Sequence, residues 1–308
     1  MELWQLRQRQ SLPVEVKIIM SQIRIRQWYE HWDGQVYISF SGGKDSTVLL
    51  HLVREMYPGV PAVFVDTGLE YPEIREFVRS TDNVIWLKPE MQFREVIEKH
   101  GFPVVGKEVA SVVEGARRNR FSTRYKKLFG SLMRDGKRSP YNCTKWNFLY
   151  EAPFKISDKC CDEMKKKPFK KYEKSTTNKG YIGTMATDSV LRQTNYMRNG
   201  CNSFEGRGIS LPLSFWTEQD IWDYLNSKSI PYSKIYDMGY HRTGCMFCMF
   251  GAHLETSPNR FERMKHTHPK LWQYCMNKLG LNDVLDYIGV PWGQQMDIFD
   301  LGEVSQCP

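Results

Sequence analysis

The chain has 308 residues, 41% of them hydrophobic and 25% charged, with a formal net charge of +8. No apolar run is long enough to cross a bilayer, and the first residues lack the apolar stretch of a signal peptide. These features exclude integral membrane and secreted classes, so we expect a folded cytoplasmic protein with no membrane partner. Its 8 cysteines then indicate metal binding or catalysis rather than a disulfide scaffold.

The first third of the chain alternates between helix and strand patterns. Residues 14–30 have apolar groups at helical spacing, and residues 36–40 form the uninterrupted β-rich run of a buried parallel strand. Further strands are predicted at 61–68 and 83–89, with helices at 48–57, 70–80, 91–100 and 106–120. Strand, loop and helix repeated at this spacing predict an α/β fold: a doubly wound parallel sheet with helices on both faces.

The rest of the chain is less regular. Residues 121–179 are rich in Lys, Arg, Ser and Thr, and strand patterns return at 179–189 and 209–215. Thr217 and Asp220 have the spacing of a capping box at the start of the next helix. We predict three parts: an N-terminal helical segment (1–35), a central α/β domain (36–251) and an irregular, partly helical C-terminal extension (252–308).

The strongest local signal is the run Ser41-Gly42-Gly43-Lys44-Asp45-Ser46-Thr47 between a predicted strand and a predicted helix. Glycines let the backbone approach an anion, and a helix N-terminus offers unpaired N–H groups and a positive dipole end. Lys44 adds a positive charge, and the hydroxyl groups add donors. The spacing excludes a Walker A loop. The run therefore predicts a phosphate or pyrophosphate cradle.

This run resembles the PP-loop of the ATP pyrophosphatases, a superfamily that includes sulfonucleotide reductases, tRNA thiolation enzymes and DNA phosphorothioation enzymes. The resemblance implies an adenine nucleotide α-hydrolase-like, Rossmann-like fold. Asp66, Thr67 and Gly68 follow the second strand, where open α/β sheets bind ligands, and the matching loop of the family lines the nucleotide pocket. A simple strand-ending turn is the alternative interpretation of Asp66.

Four cysteines occur as two pairs. Cys245 and Cys248 form a CxxC, which by itself fits half of a zinc site or a redox pair. Cys160 and Cys161 are adjacent, which suits a larger cluster better than one small ion. Four thiolates are the ligand set of a [4Fe–4S] cluster, and a four-thiolate zinc site stays an alternative. For Cys143, Cys201 and Cys275 we expect buried apolar roles.

The cysteine pattern and its surroundings resemble assimilatory adenylylsulfate (APS) reductases, within the PAPS/APS reductase family. The similar regions run from about residue 36 to 251 and include the segment leading into the CxxC. Residues 183–193 look like the loop in which an acidic residue, a Ser and an Arg face the substrate, here Asp188, Ser189 and Arg192. The resemblance implies a [4Fe–4S] cluster, a bound nucleotide (ATP, APS or PAPS) and catalytic roles for Lys44, Asp45, Asp188 and Arg192.

The family's C-terminal ECG[IL]H motif, which carries the nucleophilic cysteine, is missing. Cys275, in a predicted helix, and Cys307, near the terminus, are the residues that could replace it. We therefore favour ATP-dependent sulfur transfer, in which Mg²⁺ helps to stabilise the phosphates, over reductive release of sulfite by an APS or PAPS reductase. A partner would be a sulfur donor or a thiol reductant protein, and a homo-oligomer is left open.

Two basic segments bear on the acceptor. Residues 117–127 and 159–174 interleave Lys and Arg with Phe and Tyr, which is typical of a nucleic-acid groove. A solvated charged surface explains them equally well. The sequence thus predicts a sulfur-transfer enzyme with nucleic acid as a candidate acceptor. The alternative from another class is a non-catalytic nucleotide- or nucleic-acid-binding protein with the same fold.

Overall fold

The computed structural model describes residues 1–133 and 135–293. In these ranges the helices are α1 (Leu3–Gln10), α2 (Val14–His31), α3 (Lys44–Met56), α4 (Pro72–Arg79), α5 (Phe93–His100), α6 (Lys107–Arg118), α7 (Thr123–Phe129), α8 (Lys167–Thr176), α9 (Val190–Asn199), α10 (Glu218–Ser227), α11 (Arg260–Thr267), α12 (Pro269–Gln273) and α13 (Leu281–Tyr287). The strands are β1 (Val36–Ser39), β2 (Ala62–Val65), β3 (Val84–Leu87), β4 (Val104–Val105), β5 (Lys179–Ile182), β6 (Asn202–Ser203), β7 (Ile209–Ser210) and β8 (Met249–Phe250).

Six of these strands form one sheet in the order β3-β2-β1-β5-β7-β6. All its neighbouring strands are parallel except β6, which pairs antiparallel with β7. The chain moves outward from β1 through β2 to β3 and then returns to β5 on the other side of β1. This reversal beside β1 is the switch point at which open α/β sheets bind ligands, and it confirms the predicted α/β fold.

The two faces of the sheet are covered by different helices. On one face, the hydroxyl group of Tyr181 donates to the carbonyl oxygen of Ile25 in α2, at 2.8 Å. On the other, the ring of Tyr37 meets the ring of Tyr172 in α8, with centroids 5.3 Å apart. Gly180 pairs with Tyr37, and a Cβ atom there would lie 2.9 Å from that ring. Helices therefore cover both faces of the sheet, which confirms the predicted doubly wound arrangement.

The capping box predicted before α10 is present. The Oγ1 atom of Thr217 accepts from the backbone N–H of Asp220, and the carboxylate of Asp220 accepts from the backbone N–H of Thr217. The same carboxylate forms a buried ion pair with Lys17 of α2 at 2.6 Å. Asp220 thus accepts a backbone N–H group at the start of α10 and also holds this helix against α2.

The strand predicted at 209–215 is shorter than expected. It ends at Ser210, and the backbone N–H of Ser214 donates to the carbonyl oxygen of Leu211 in a turn. Pro212 explains the difference, because proline has no N–H group to donate to a neighbouring strand. Helices that are long and apolar enough to span a membrane are absent from the described ranges.

The chain forms two compact units. Unit 1 comprises Met1–Glu90 and Glu163–Gly244, and it contains the six-stranded sheet. Unit 2 comprises Met91–Asp162 and the segment that begins at Cys245, and it contains the short parallel pair of β4 and β8. Residues 36–251 contribute to both units, and the three-part division expected from the sequence stays a prediction.

Candidate functional site

Residues 41–47 of unit 1 (the phosphate loop) follow β1 and continue into the first turn of α3, where the sequence predicts them. Gly43 is the N-cap of α3, which begins at Lys44. Gly42 has a φ of +71°, and a Cβ atom there would lie 2.8 Å from Val78 and 2.9 Å from Ile74 of α4. Only glycine can adopt this left-handed backbone conformation and also fit so close to α4 without strain. The loop is therefore shaped by its own sequence and by α4.

The hydroxyl groups of the loop bond to the loop itself. Ser46 Oγ accepts from the backbone N–H of Ser41 at 3.2 Å and donates to the carbonyl oxygen of Gly43 at 2.8 Å. Thr47 Oγ1 donates to the same carbonyl oxygen at 3.0 Å. Both side chains are buried. In this structure they stabilise the turn instead of presenting donors to a ligand.

Lys44 is buried and held by residues far along the chain. Its Nζ atom lies 3.0 Å from a carboxylate oxygen of Glu218 and donates to the carbonyl oxygen of His241 at 2.9 Å. Its backbone N–H, the first of α3, donates to the hydroxyl group of Tyr236 at 2.8 Å. Glu218 and Tyr236 were not among the site residues expected from the sequence. Their only signal was the general one that a buried lysine needs an acidic partner.

The hydroxyl group of Thr243 also lies close to the loop. Thr243 Oγ1 would lie 2.5 Å from a Cβ atom at Gly43, and it is 3.3 Å from the hydroxyl oxygen of Tyr236. Burial raises the pKa of Tyr236 to about 12, so its proton stays in place at neutral pH. Two neutral hydroxyl groups thus lie at the helix N-terminus, where a phosphate oxygen would bind.

Asp45 carries the single carboxylate of the loop, and its pKa is strongly perturbed. Burial raises its pKa to about 6, and the charges of Asp188 and Glu218 act in the same direction, whereas Lys44 and Arg192 lower it. Within the described ranges, its Oδ1 atom is buried with no hydrogen-bond partner. A desolvated carboxylate oxygen of this kind fits a proton-transfer role or a Mg²⁺ ligand.

The loop that follows β5 lies next to the phosphate loop. A Cβ atom at Gly183 would be 3.0 Å from the carbonyl oxygen of Asp45. Asp188 forms an ion pair with Arg192 and accepts from the backbone N–H of Met185 at 3.0 Å. Ser189 is the N-cap of α9. The fold therefore brings Lys44, Asp45, Asp188 and Arg192 into one region of unit 1.

The polar side chains of the loop after β2 bond to groups within the loop and to α4. Asp66 forms an ion pair with Arg75 at 2.8 Å and accepts from the backbone N–H of Gly68 at 3.2 Å. Thr67 donates from its hydroxyl group to the buried carboxylate of Glu70 at 2.7 Å. These residues follow the strand next to β1, at the same sheet edge as the phosphate loop. Their contact with a nucleotide stays a prediction.

The four paired cysteines all belong to unit 2. Phe102 bridges to Ile156, four residues before Cys160, and Val104 of β4 pairs with Met249, next to Cys248. The backbone N–H of Cys248 donates to the carbonyl oxygen of Cys245 at 3.0 Å and closes the CxxC turn. One short segment, residues 102–105, thus pairs with the chain beside both cysteine pairs.

The donor set itself fits a thiolate-ligated group, since Cys160 is buried and Cys161, Cys245 and Cys248 are half-buried. In the described ranges, however, groups of three or more His, Cys, Asp or Glu side chains arranged around a single ion are absent. The cluster and the zinc alternative therefore both stay predictions.

The remaining described cysteines differ in their surroundings. Cys275 is fully buried, and burial raises the pKa of its thiol far above the usual value. Cys201 is also buried, and its pKa is raised to about 11. Cys143 is half-buried and its pKa is raised as well. Cys307 lies outside the described residues. Cys275 is thus a poor candidate for the missing nucleophile, which must be accessible and partly thiolate.

The sequence profile of the phosphoadenosine phosphosulfate reductase domain matches residues 35–105 and 117–250, which is more than half of the chain. The protein belongs to this family. The match includes the phosphate loop, both loops beside it and all four paired cysteines.

The similar curated proteins include relatives with and without an assigned activity. An uncharacterized protein of Methanocaldococcus jannaschii is 24% identical, over 84% of this chain and 52% of that protein. A second one from the same organism is 26% identical, over 83% of this chain and 43% of that protein. This chain therefore spans about half of their length. The adenosine 5'-phosphosulfate reductase of Bacillus cereus is 23% identical, over 73% of this chain and 78% of the reductase.

Solved structures resemble the chain more weakly. Phosphoadenylyl-sulfate reductase from Candida auris, in a phosphate complex, is 16% identical with a TM-score of 0.44, over 73% of this chain and 87% of the other. FMN adenylyltransferase from Candida glabrata, with FMN and an ATP analogue, is 14% identical with a TM-score of 0.45, over 78% of this chain and 68% of the other.

Proposed function

We propose that this protein is an enzyme of nucleotide-dependent sulfur chemistry that uses ATP to transfer sulfur to an acceptor. The observation that carries the proposal is the phosphate loop. It lies at the switch point of the sheet, with Lys44 and Asp45 at the start of α3 and the Asp188–Arg192 pair beside them. Such an arrangement favours binding of a polyphosphate and chemistry at its phosphorus atoms.

The proposed reaction has two steps. An acceptor oxygen attacks the α-phosphorus of ATP, the bond to the β-phosphate breaks and pyrophosphate leaves, and where the acceptor oxygen belongs to a hydroxyl group its proton passes to a base. A hydrosulfide or other sulfur nucleophile then attacks the acceptor carbon or phosphorus, and AMP leaves with the oxygen. Lys44, once released from Glu218, and the loop amides stabilise charge on the phosphates. Asp45 fits the base or a ligand of Mg²⁺ held mainly by the nucleotide.

Two observations favour transfer over reductive release of sulfite. The ECG[IL]H motif, which carries the reductase nucleophile, is missing from the sequence. Cys275, one possible substitute, is buried with a raised thiol pKa. A sulfonucleotide reductase would need a thiolate that attacks sulfur, and this residue does not meet that need. Release of sulfite from APS or PAPS is the second candidate, supported by the similar Bacillus cereus reductase.

We further propose that Cys160, Cys161, Cys245 and Cys248 hold a [4Fe–4S] cluster. The support is the set of four thiols in unit 2 and the pairing of the two cysteine segments with residues 102–105. When bound, such a cluster would supply electron-transfer or sulfur-carrying capacity. The zinc alternative uses the same residues, and metal analysis separates the two.

Nucleic acid is the proposed acceptor, on the strength of a surface in unit 2. The described residues of 117–150 include nine Lys and Arg but only one Asp. Phe121 and Tyr141 in this stretch are 91% and 73% exposed, which is unusual for large rings. Cations pair with phosphates and exposed rings stack on unpaired bases, so this surface suits a single strand.

Product analysis tests the reaction. With ATP, a hydrosulfide donor and single-stranded RNA or DNA, we expect pyrophosphate and AMP, and neither from Lys44→Ala. Sulfite from APS or PAPS with a thiol reductant, without pyrophosphate from ATP, would replace this proposal by the reductase. Nucleotide binding without turnover under either condition would favour the non-catalytic binding protein.

Binding measurements test the acceptor. Phe121→Ala combined with Tyr141→Ala should weaken single-strand binding by about tenfold or more, since stacking contributes about 1–3 kcal/mol per base. Trp4→Ala removes another exposed ring, 63% exposed and in unit 1, and should leave binding unchanged. Fluorescence anisotropy at two salt concentrations measures both, and equal binding by all three proteins would contradict the nucleic-acid assignment.

A further inference from the structure

Unit 1 contains a cavity that the proposed reaction does not use. It has a volume of about 430 Å³ and is lined by side chains of α1, α2, the last turn of α9 and the residues that follow it. Its charged side chains are Arg9, Arg24 and Arg198, and its aromatic ones are Tyr196 and Phe204. The ammonium group of Met1 also lies in the lining, where it donates to the carbonyl oxygen of Met197. The phosphate loop and the loops after β2 and β5 contribute no residue to the described lining.

The cavity has an uncompensated positive charge. Asp and Glu are absent from its described lining, and the three guanidinium groups form no ion pair with any carboxylate of the described ranges. Arg75 and Arg207, by contrast, each pair with a carboxylate at 2.8 Å. Three like charges around one space repel each other unless an anion lies between them.

Two of the three arginines are held in place by neutral groups. Arg9 donates to the hydroxyl oxygen of Tyr196 at 2.8 Å, and Arg24 donates to the side-chain oxygen of Gln27 at 2.9 Å. Burial raises the pKa of the Cys201 thiol in the cavity wall, while Arg24 and Arg9 act in the opposite direction. The fields of both guanidinium groups therefore reach the same wall, and each group keeps further N–H donors for a ligand.

The size and walls indicate what kind of anion fits. A volume of about 430 Å³ is within the range of small-molecule sites and far exceeds that of a single phosphate ion. Phe204 packs on Trp28 and His31 with centroids 5.3 and 4.4 Å away. It is still 40% exposed, so part of its ring offers an apolar surface. Guanidinium groups bind phosphate oxygens in a bidentate manner.

We infer that this cavity is a second ligand site, which binds a phosphomonoester carrying a flat organic group, a mononucleotide in size. The site is separate from the phosphate loop and does not depend on the proposed reaction. Its three arginines hold the phosphate, and Phe204 stacks on the organic group.

Calorimetry with uridine 5'-monophosphate, uridine and inorganic phosphate tests the inference on the full chain. We expect the monophosphate to bind, uridine to bind at least tenfold more weakly, and inorganic phosphate to compete. Arg9→Gln combined with Arg24→Gln should weaken binding of the monophosphate at least tenfold. Arg7→Gln combined with Arg26→Gln is the matched control, because these exposed arginines lie on the same two helices outside the cavity.

Two further variants keep the test decisive. Arg198→Gln changes an exposed side chain and should weaken binding severalfold even if the double variant unfolds, which thermal melting would reveal. Lys44→Ala should bind the monophosphate as the wild type does. Loss of binding in Lys44→Ala, equal binding of uridine, undiminished binding by Arg198→Gln, or no binding by the wild type would each overturn the inference.

Discussion

The phosphate loop of unit 1 and the paired cysteines of unit 2 are polar sites built in opposite ways. The loop is seven consecutive residues whose hydroxyl groups and backbone bond to one another at 2.8–3.2 Å. The cysteines come from two segments about 85 positions apart in the sequence. Those segments are connected through the backbone pairing of residues 102–105. The turn of the loop is therefore held by its own hydrogen bonds, whereas the positions of the cysteines depend on tertiary pairing and, as we propose, on a bound metal or cluster.

The two sites also treat charge differently. The positive charge of Lys44 is satisfied inside the protein by Glu218 at 3.0 Å and by the carbonyl oxygen of His241. Four thiolates would carry negative charge that only a bound metal or cluster offsets. Loss of the ligand should thus leave the loop folded and affect the cysteine region strongly. Four predictions test this contrast, in order of decreasing effect.

The largest effect is expected from the cysteines. Cys161→Ser should reduce the iron content of anaerobically purified protein from about four atoms per chain to below one, with loss of the absorption near about 400 nm. Nucleotide binding to unit 1 should stay unchanged. Iron and sulfide assays with a UV–visible spectrum measure the first effect, and calorimetry with ATP measures the second.

Cys143→Ser is the control for this variant, because Cys143 is half-buried like Cys161 but is unpaired in the sequence. Its iron content should equal that of the wild type. One zinc per chain and no iron in the wild type would replace the cluster by the zinc site, and absence of both metals would remove the metal assignment altogether.

The next largest effect is expected within the loop. In Gly42→Ala, the alanine would have to adopt a φ of +71°, and its Cβ atom would lie 2.8 Å from a methyl group of Val78 and 2.9 Å from one of Ile74. We expect the free energy of unfolding to fall by about 2–4 kcal/mol, the sum of backbone strain and overpacking. Gly59→Ala is the control, since a Cβ atom there meets nothing within 4 Å. Urea unfolding compares the two, and an unchanged midpoint for Gly42→Ala would show that the loop is not rigid.

A smaller effect is expected at the hydroxyl group over the loop. Tyr236→Phe removes the acceptor of the Lys44 backbone N–H, which lies 2.8 Å away. If a phosphate oxygen takes that place, ATP should bind about three- to tenfold more tightly, because one hydrogen bond contributes about 1 kcal/mol. Tyr232→Phe is the control, since its hydroxyl group bonds to Asp237 instead. Weaker ATP binding by Tyr236→Phe would mean that the hydroxyl group itself contacts the nucleotide.

The same contrast explains what could be predicted from the sequence. The phosphate loop, its position between β1 and α3, the parallel sheet and the Thr217–Asp220 capping box all depend on near neighbours in sequence. Local patterns contain such information. The central strands and their helices were therefore predictable. The early end of β7 at Pro212, the helices α7 and α8 and the short strands β4, β6 and β8 were not predicted.

The partners of the loop were not predictable. Glu218 and Tyr236 are more than 170 positions from Lys44, and their contact results from the packing of α10 and the following turn, which no periodicity reports. The arginine-lined cavity likewise combines helices from both ends of unit 1. For the cysteines, sequence spacing supplies the ligand types but not the distances between sulfur atoms.

The smallest effect is a pH dependence at Asp45. Its pKa in the folded protein is about 6 against an ordinary value of 3.8, so the folded state binds more protons than the unfolded state between these values. Stability of the wild type should therefore fall as the pH rises through about 4 to 6.

Asp45→Asn does not titrate, and its free energy of unfolding should exceed that of the wild type by on the order of 1 kcal/mol above pH about 6.5. This size allows for partial solvent screening. The advantage should disappear near pH about 4. Thermal or urea unfolding across this range measures it, and an advantage independent of pH would show that Asp45 is not the group that titrates.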